Sequence, residues 1–446
     1  MPGDGMPGAA PAPGRRHSSG GCTVSCAVIR TMRILSLNCG SSSLKYSLLS
    51  MPSGEELAGG EARGVGPPIA VPASIVHRCG TGTVRRTVPL PDHASAFARV
   101  MDLLSADPRL HADAVGHRIV HGGARFTRPV RLDRRTMAEL DSLGDLAPLH
   151  NPPTLALIAA CAERFPALPQ VAVFDTAFHA TIPEFARTYA LPAALRDRLA
   201  IRKYGFHGIS HGFVTGEAAE FLGRPRTALN AVSCHLGSGG GSLCAVKGGK
   251  SIDTTMGYSP LPGLVMSTRC GDLDPAVTLR LLAREREDSA AVENILHGHS
   301  GVLGMSGFSS DIRDIFARAK GNEGRCSRIE VTAQLYLWRI RRYLGAYLTA
   351  AAPVAALIFT DSVGEGVPAV REAACAGLEA FGLSLDPSRN EAPGPLPADV
   401  AADDSAVRVL VIHTNEERAI AKAVYGCLCA NPNAHPSDHR MEGDRP

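Results

Sequence analysis

The chain has 446 residues, 45% of them apolar and 20% charged, with a formal net charge of +3; this suits a globular protein with a large core and more than one domain. Three arginines and one aspartate fall within residues 1–32, so the remainder stands at +1 and offers no electrostatic reason for a nucleic-acid partner, and no apolar run reaches the roughly 18 residues of a membrane span. Twelve cysteines are scattered without C-x-x-C pairs, several in apolar runs such as those around Cys234 and Cys375, which reads as reduced thiols in a cytoplasmic chain and not as a disulfide frame or a zinc site.

Residues 1–32 are rich in Gly, Pro, Ala and Ser and lack apolar periodicity, so they are expected to be a disordered, dispensable extension. Their arginines also suit an organellar transit peptide, although no amphipathic helix supports one. Order is expected from Arg33. Ile34–Leu37 and Tyr46–Leu49 read as strands flanking N-C-G-S-S-S-L-K at 38–45, a hairpin whose turn gathers backbone N–H groups, Ser41–Ser43 and Lys45 into a phosphate cradle. Short strands are expected through 50–92 and an amphipathic helix over 94–105. A strand at Ala114–Val120 delivers G-H-R-I-V-H-G-G at 116–123. Helices over Arg135–Leu143 and Thr154–Arg164 flank A-P-L-H-N-P at 147–152. The buried strand Gln170–Phe174 ends at Asp175, a favoured place for a site in an α/β fold.

The second half repeats the plan. The loop Y-G-F-H-G-I-S-H at 204–211 enters a helix over 212–222. The strand Ala231–Leu236 runs into Gly237-Ser238-Gly239-Gly240-Gly241-Ser242 and out again as a strand. That is hairpin chemistry: a dinucleotide fold needs glycine where Ser242 stands and a helix directly afterwards, and no G-x-x-x-x-G-K-[ST] marks a P-loop. Residues 253–275 are irregular and hold Arg269 and Asp272. Helices are expected over 276–286, 288–297 and 327–351, with Asp311 and Arg313 opening another. The strand Ala355–Thr360 leads into Asp361-Ser362-Val363-Gly364-Glu365-Gly366, in outline an anion site at a helix start. Residues 386–405 read as a polar linker. Val407–Ile412 is a strand, and Thr414 with Glu417 fits a capping box that leaves Glu416 free. A tail at 431–446 is expected to be disordered. Two glycine- and hydroxyl-rich hairpins, one per half, imply a duplicated α/β domain with a cleft between the copies and a phosphate cradle on each wall.

Taken together, these stretches resemble the acetate kinases, the short-chain carboxylate kinases of the actin–hexokinase–Hsp70 fold group. The resemblance covers about residues 33–425 and rests on eight motifs in order: the four quoted runs at 38–45, 116–123, 147–152 and 204–211, with F-D-T-A-F-H at 174–179, C-H-L-G at 234–237, T-R-C-G-D-L-D-P at 268–275 and T-N-E-E at 414–417. It implies an α/β fold of two ribonuclease-H-like domains. Residues 33–175 would bind acyl group and phosphate, 176–414 would bind nucleotide, and the helix 415–430 would pack back on the first domain. It also implies a homodimer without nucleic-acid or membrane partners.

The implied activity is reversible transfer of the ATP γ-phosphoryl group to acetate, giving acetyl phosphate and ADP. Such transfers need positioning and charge neutralisation more than covalent chemistry. By the same resemblance Arg118 and Arg269 flank the transferring group, Asp175 orients the acceptor or holds an arginine, and His207 donates to an equatorial oxygen. Asn38 and Glu416 would hold Mg²⁺ or Mn²⁺. Lys45, Ser41 and Ser43 on one wall, and His235, Leu236, Gly237, Ser238 and Gly239 on the other, would steady the phosphates. Asp311, Ile312 and Arg313, with Ser362, Val363, Gly364, Glu365 and Gly366, match nucleotide contacts. Val120, Leu149, Phe206 and Pro260 match the pocket for the acyl methyl, which makes propionate a poorer substrate. His150 and His211 also match, in positions that suit structural hydrogen bonding. Departures fall on the nucleotide side: the family's G-G-I-G-E-N is here Asp361–Gly366, and its L-G-N-G is Leu236–Gly239 with Ser238 for asparagine. The donor is therefore the open part of the reading, with pyrophosphate or another nucleotide as an alternative, and a non-catalytic nucleotide-binding descendant beyond that. Butyrate kinases differ at Asn38–Ser43, where their hairpin reads N-P-G-S-T-S.

Overall fold

In the computed structural model, which describes residues 30–40, 42–67, 72–147, 151–284, 288–319 and 327–430, two mixed sheets repeat one topology. The first contains β1 (Met32–Cys39), β2 (Ser43–Met51), β3 (Glu55–Arg63), β4 (Ser74–Cys79), β5 (Gly82–Thr87), β6 (Ala114–Ile119), β7 (Val130–Arg131) and β8 (Gln170–Phe174), in the order β5-β4-β3-β2-β1-β6-β8-β7. The second contains β9 (Ala231–Leu236), β10 (Gly241–Lys247), β11 (Lys250–Thr254), β12 (Ala356–Thr360), β13 (Ala398–Asp399) and β14 (Arg408–Val411), in the order β11-β10-β9-β12-β14-β13. In each, an antiparallel three-strand meander is followed by two strands parallel to its first member: β6 and β8 after β1, β12 and β14 after β9. The two quoted hairpins are therefore equivalent, β1–β2 pairing from Met32↔Met51 to Cys39↔Leu44 and β9–β10 from Ala231↔Val246 to Leu236↔Gly241.

Central strands read as unbroken apolar runs because both of their faces are covered. In the first sheet Leu35 and Leu37 pack against α1 (His93–Ser105) and α2 (Asn151–Arg164) through Phe97, Val100 and Leu157. Ile34 and Leu49, on the other face, meet Ile420 and Val424 of α6 (Glu416–Ala430). In the second sheet α3 (Gly208–Phe221) covers one face with Val214 and Ala218, and α4 (Arg328–Ala350) covers the other with Tyr336, Ile340 and Leu344. Each such fully buried aliphatic side chain contributes about 1.5–3 kcal/mol relative to exposure. α6 follows β14 in the chain but lies on the first sheet. A Cβ on Gly116 of β6 would come within 2.6 Å of Ile420 and Val424, so the glycine sets how closely α6 approaches.

Two local expectations change. Residues 386–405 are not a linker: Ala398 and Asp399 form β13 against β14, Arg408 Nε donates to Asp399 Oδ2 at 2.6 Å, and Val400 and Ala401 are buried. Polar residues there are used in structure, Asn390 and Ser405 being buried and hydrogen-bonded, so composition misled. The cap of α6 is also not the Thr414–Glu417 box. Asn415 Oδ1 accepts from Arg418 N at 2.8 Å, and Glu417 turns to Asn38 instead, its Oε1 accepting from the Asn38 amide at 3.1 Å.

Candidate active site

The ends of β1, β6, β8 and β9 and the starts of α3 and α6 converge on one cleft of about 650 Å³. It is lined by Asn38, Ser43, Lys45, Arg118, His207, His235, Ser238, Gly239, Arg269 and Glu416, and also by Asp361, Thr414 and Glu417. The β1–β2 turn is propped from within. Gly40 N donates to Ser43 O at 2.9 Å, and His93, the first residue of α1, bonds Gly40 O at 2.8 Å. Ser41 lies outside the described residues.

Arg118 is the best-held cation. Its Nη2 donates to Asp175 Oδ2 at 2.7 Å and its Nη1 to Asn38 Oδ1 at 3.2 Å, with the Arg118 side chain 15% and the Asp175 side chain 1% exposed. Burial opposes the Arg118 charge, but Asp175 and Glu416 outweigh it and hold its pKa up. Its Nε has no hydrogen-bond partner among the described residues. Arg269 is placed differently. Burial pulls its pKa down, its Nη1 reaches only Pro260 O at 3.4 Å and the Met266 sulfur, and no carboxylate among the described residues pairs with it. A half-buried guanidinium without a counter-charge among the described residues calls for an anion in the cleft.

His207 caps α3 with φ +58°, a left-handed conformation strained for a non-glycine residue. The adjacent Gly208 lies against the Asp175 backbone: its N–H donates to Asp175 O at 2.9 Å, and a Cβ there would meet the same oxygen at 2.2 Å. The His207 and His235 rings lie 4.3 Å apart, centre to centre. His207 is held well below the ordinary histidine pKa, by burial first and then by His235 and the two arginines. For His235, burial pulls the same way, but Asp361 Oδ2 at 3.1 Å from its Nε2 outweighs it and raises the pKa. Of the two rings, tilted 39° to each other, one is neutral and the other is favoured as a cation.

Val120 and Phe206 are buried together with Met256 and Met266 in a small apolar cluster, and Pro260 adjoins through the Arg269 contact. Leu149 and His150 lie outside the described residues. His121 adds a ring that sequence reasoning left unassigned, 4.5 Å from Tyr204 and 5.5 Å from Phe206; burial pushes its pKa down to about 4. Its place in the G-H-R-I-V-H-G-G run was the available signal.

At the start of α6, Asn38 Nδ2 donates to Glu416 Oε2 at 2.8 Å as well as to Glu417. Burial raises the Glu416 pKa and Arg118 opposes the rise. Among the described residues no three His, Cys, Asp or Glu side chains group to enclose a metal. Two carboxylates and an amide oxygen at the cleft edge do suit Mg²⁺, which keeps most of its waters and takes phosphate oxygens.

On the nucleotide side, Ser238 N donates to Ser362 Oγ at 3.0 Å. Asp361 opens the short helix α5 (Asp361–Gly366) at φ +66°, and its Oδ2 would be 2.3 Å from a Cβ on Gly237. Glu365 is a brace: it accepts from Asp361 N at 2.7 Å and Thr414 N at 3.1 Å and bonds His413. Val363 and Gly364 are buried, Gly366 follows at the end of α5, and the Leu236 side chain is in the core. Asp311 pairs with Arg313 across a half-exposed turn, while Ile312 is buried and lines a recess with Gly237, Ser238 and Tyr336.

A family model described as the acetokinase family matches residues 33–422. The chain is similar to the acetate kinase of Dictyoglomus turgidum, 44% identical over 399 residues that cover 88% of this chain and 96% of that protein. Among solved structures it is similar to an acetate kinase from Porphyromonas gingivalis, with a TM-score of 0.80 and 37% identity over 89% of this chain and 100% of that one. It is also similar to a propionate kinase from Francisella tularensis, with a TM-score of 0.81 and 33% identity over 88% and 98%.

Proposed function

The chain belongs to the acetokinase family, and from that premise we propose that it catalyses reversible transfer of the γ-phosphoryl group of ATP to acetate, giving acetyl phosphate and ADP. The observation that carries this is one cleft holding a carboxylate-anchored guanidinium, Arg118, beside one that no carboxylate pairs among the described residues, Arg269. An acetate oxygen forms the new P–O bond. The bond between the γ-phosphorus and the β,γ-bridging oxygen breaks, and its electron pair leaves with ADP. The acceptor is already ionised at pH 7, so no base is needed in this direction. Asp175, whose carboxylate accepts from Arg118 and from the Ile209 N–H, positions Arg118 and need not abstract a proton. The arginines neutralise the equatorial oxygens, His207 donates a neutral N–H, and His235, charged through Asp361, adds a cation beside it. Asn38, Glu416 and Glu417 would hold Mg²⁺ through oxygen or water; when bound, it neutralises phosphate charge. Closure of the cleft would exclude water from the acyl phosphate.

The cluster of Val120, Phe206, Met256 and Met266 supports a short acyl group. One extra methylene in such a pocket changes binding by about 1–3 kcal/mol, which makes propionate a slower substrate. A homodimer in the cytoplasm completes the reading, supported by Trp338, 59% exposed, and Val331 on one face of α4, and by nine free cysteines among the described residues.

A second donor is favoured by a specific observation. Asp361 and Ser362 fill the space against Gly237 and Ser238, where the family's glycines leave room. The test is hydroxamate-trapped acyl phosphate formation from acetate and Mg²⁺ with ATP, GTP or pyrophosphate, beside an Arg118→Ala control. Turnover with ATP that the control loses supports the first reading. Turnover with pyrophosphate alone supports the second. No turnover with any donor, in folded protein, overturns both.

A further inference from the structure

The cleft uses one face of His207, and behind that ring runs a chain of buried hydroxyls and imidazoles that the phosphoryl chemistry does not touch. Ser242 Oγ on β10 lies 2.9 Å from His207 Nδ1 and 2.8 Å from His211 Nε2, and His211 Nδ1 lies 2.9 Å from Ser233 Oγ on β9. Ser233, Ser242 and His211 are all fully buried. We propose that Ser233, His211 and Ser242 are positioning residues: a one-way hydrogen-bond relay that holds His207 as the tautomer with its hydrogen on Nε2, facing the cleft. The inference rests on the role given to His207 above.

The direction follows from counting hydrogens. A neutral imidazole carries one N–H and a serine one O–H; if Ser242 accepted from both rings its own hydrogen would be orphaned, because its buried Oγ has no third partner among the described residues, and two arrangements remain. In one, Ser233 donates to His211 Nδ1, His211 Nε2–H donates to Ser242 Oγ, and Ser242 donates to His207 Nδ1. His207 is then left with its hydrogen on Nε2. In the other every arrow reverses, and His207 presents a lone pair to a site built for an anion. The reversed order also strips Ser233 of an acceptor: its Oγ has no second partner among the described residues, so its hydrogen would be an orphaned buried donor. The first order leaves only an unused acceptor lone pair, the milder fault.

A parallel contact shows how the loop ahead of the ring is held. His179 Nε2 lies 2.9 Å from Phe206 O, and a carbonyl can only accept, so His179 carries its hydrogen there and takes the Ser251 hydroxyl hydrogen on Nδ1, at 2.8 Å. Phe206 immediately precedes His207, so its carbonyl, and with it the entry to the strained φ of +58°, is pinned from behind. The backbone is set by one histidine and the proton position by another.

The test is histidine-selective ¹⁵N NMR on the full chain, with the His207 signals assigned by their loss in His207→Gln, run beside steady-state kinetics. The wild-type protein is expected to show His207 with Nδ1 unprotonated and Nε2 protonated. Ser242→Ala should give a tautomer mixture and lower kcat by about 10- to 100-fold, the scale of weakening one transition-state donor, with the KM for acetate within about twofold. Ser233→Ala, which removes a single oxygen one step further back, should shift the same signals with a smaller fall in kcat and covers the case in which Ser242→Ala fails to fold. Wild-type His207 protonated on Nδ1, or variants that keep the wild-type tautomer, would overturn the relay. Loss of kcat that merely tracks loss of folded protein would overturn it too. A wild-type protein that shows the expected tautomer but forms no acyl phosphate sinks the kinase reading and leaves the relay standing.

Discussion

Asp361 stands in the left-handed region at φ +66°, where a side chain costs about 1 kcal/mol or more in strain, and its carboxylate is held far below the ordinary range: burial opposes the charge, but the His235 contact outweighs it. The pair is mutual, since Asp361 also raises His235. His235 is charged below its pKa and discharges as pH rises through it. Asp361→Asn should therefore lower that pKa and bring the alkaline fall of kcat to lower pH; a pH–rate profile of both proteins checks it, and an unmoved limb would mean that the charge on His235 is not used. Replacing both Asp361 and Ser362 by glycine should lower the KM for ATP severalfold if adenosine lies where those side chains stand, measured as initial rates against ATP. At this scale the quoted motifs had marked Asn38, Arg118, Asp175 and Arg269, because the chemistry leaves few alternatives for an arginine among glycines or an acid at a strand end. They could not show that Asn415 takes the cap in place of Thr414, since neighbouring residues with capping side chains compete by local geometry. Nor could they show which partner each histidine holds, because those contacts span tens of residues.

The fit of α6 on β6 turns on Gly116. Alanine there adds a methyl 2.6 Å from both Ile420 and Val424, and a packed helix has no slack to absorb it. Gly116→Ala should destabilise the protein by about 1–3 kcal/mol as overpacking does. It should also raise the KM for Mg·ATP, because α6 begins with Glu416 and Glu417, whose grip on Asn38 depends on where the helix sits. Thermal denaturation beside nucleotide kinetics separates the two effects, and an unchanged melting temperature would show that α6 can slide. Elements with strong apolar runs, such as β1, β9 and α4, were legible from composition and period. β13 was not: two residues paired at a sheet edge carry too little pattern, and the Arg408–Asp399 contact that fastens them is visible only in three dimensions.

Across the whole molecule, burial holds His117, His121 and His179 at about 4, and pulls His207 and His211 down as well. Each takes up a proton on unfolding below its ordinary value near 6.5 but not while folded. Their contribution is complete above pH 6.5 and is lost as pH falls toward 4, each adding a slope of up to about 1.4 kcal/mol per pH unit. His77 and His297 are lowered in the same way, while His235 and His413 run the other way, two against seven. The melting temperature should be nearly flat from pH 7 to 8 and drop steeply between pH 6 and 4, and calorimetry across that range would expose a flat profile if these rings were hydrated. The duplication was legible only as two similar hairpins; the matching strand order became evident once pairing partners were known. One consequence concerns timing. Asn38 and Glu416 touch at 2.8 Å although 378 positions separate them, joining the first described strand to the last described helix. During synthesis β6 with Arg118 emerges early, but the corner proposed to take the metal cannot exist until α6 has left the ribosome and docked. If that corner takes the metal as proposed, a chain cut short before α6 is expected to lack nucleotide turnover, which release of truncated chains and assay of each would check.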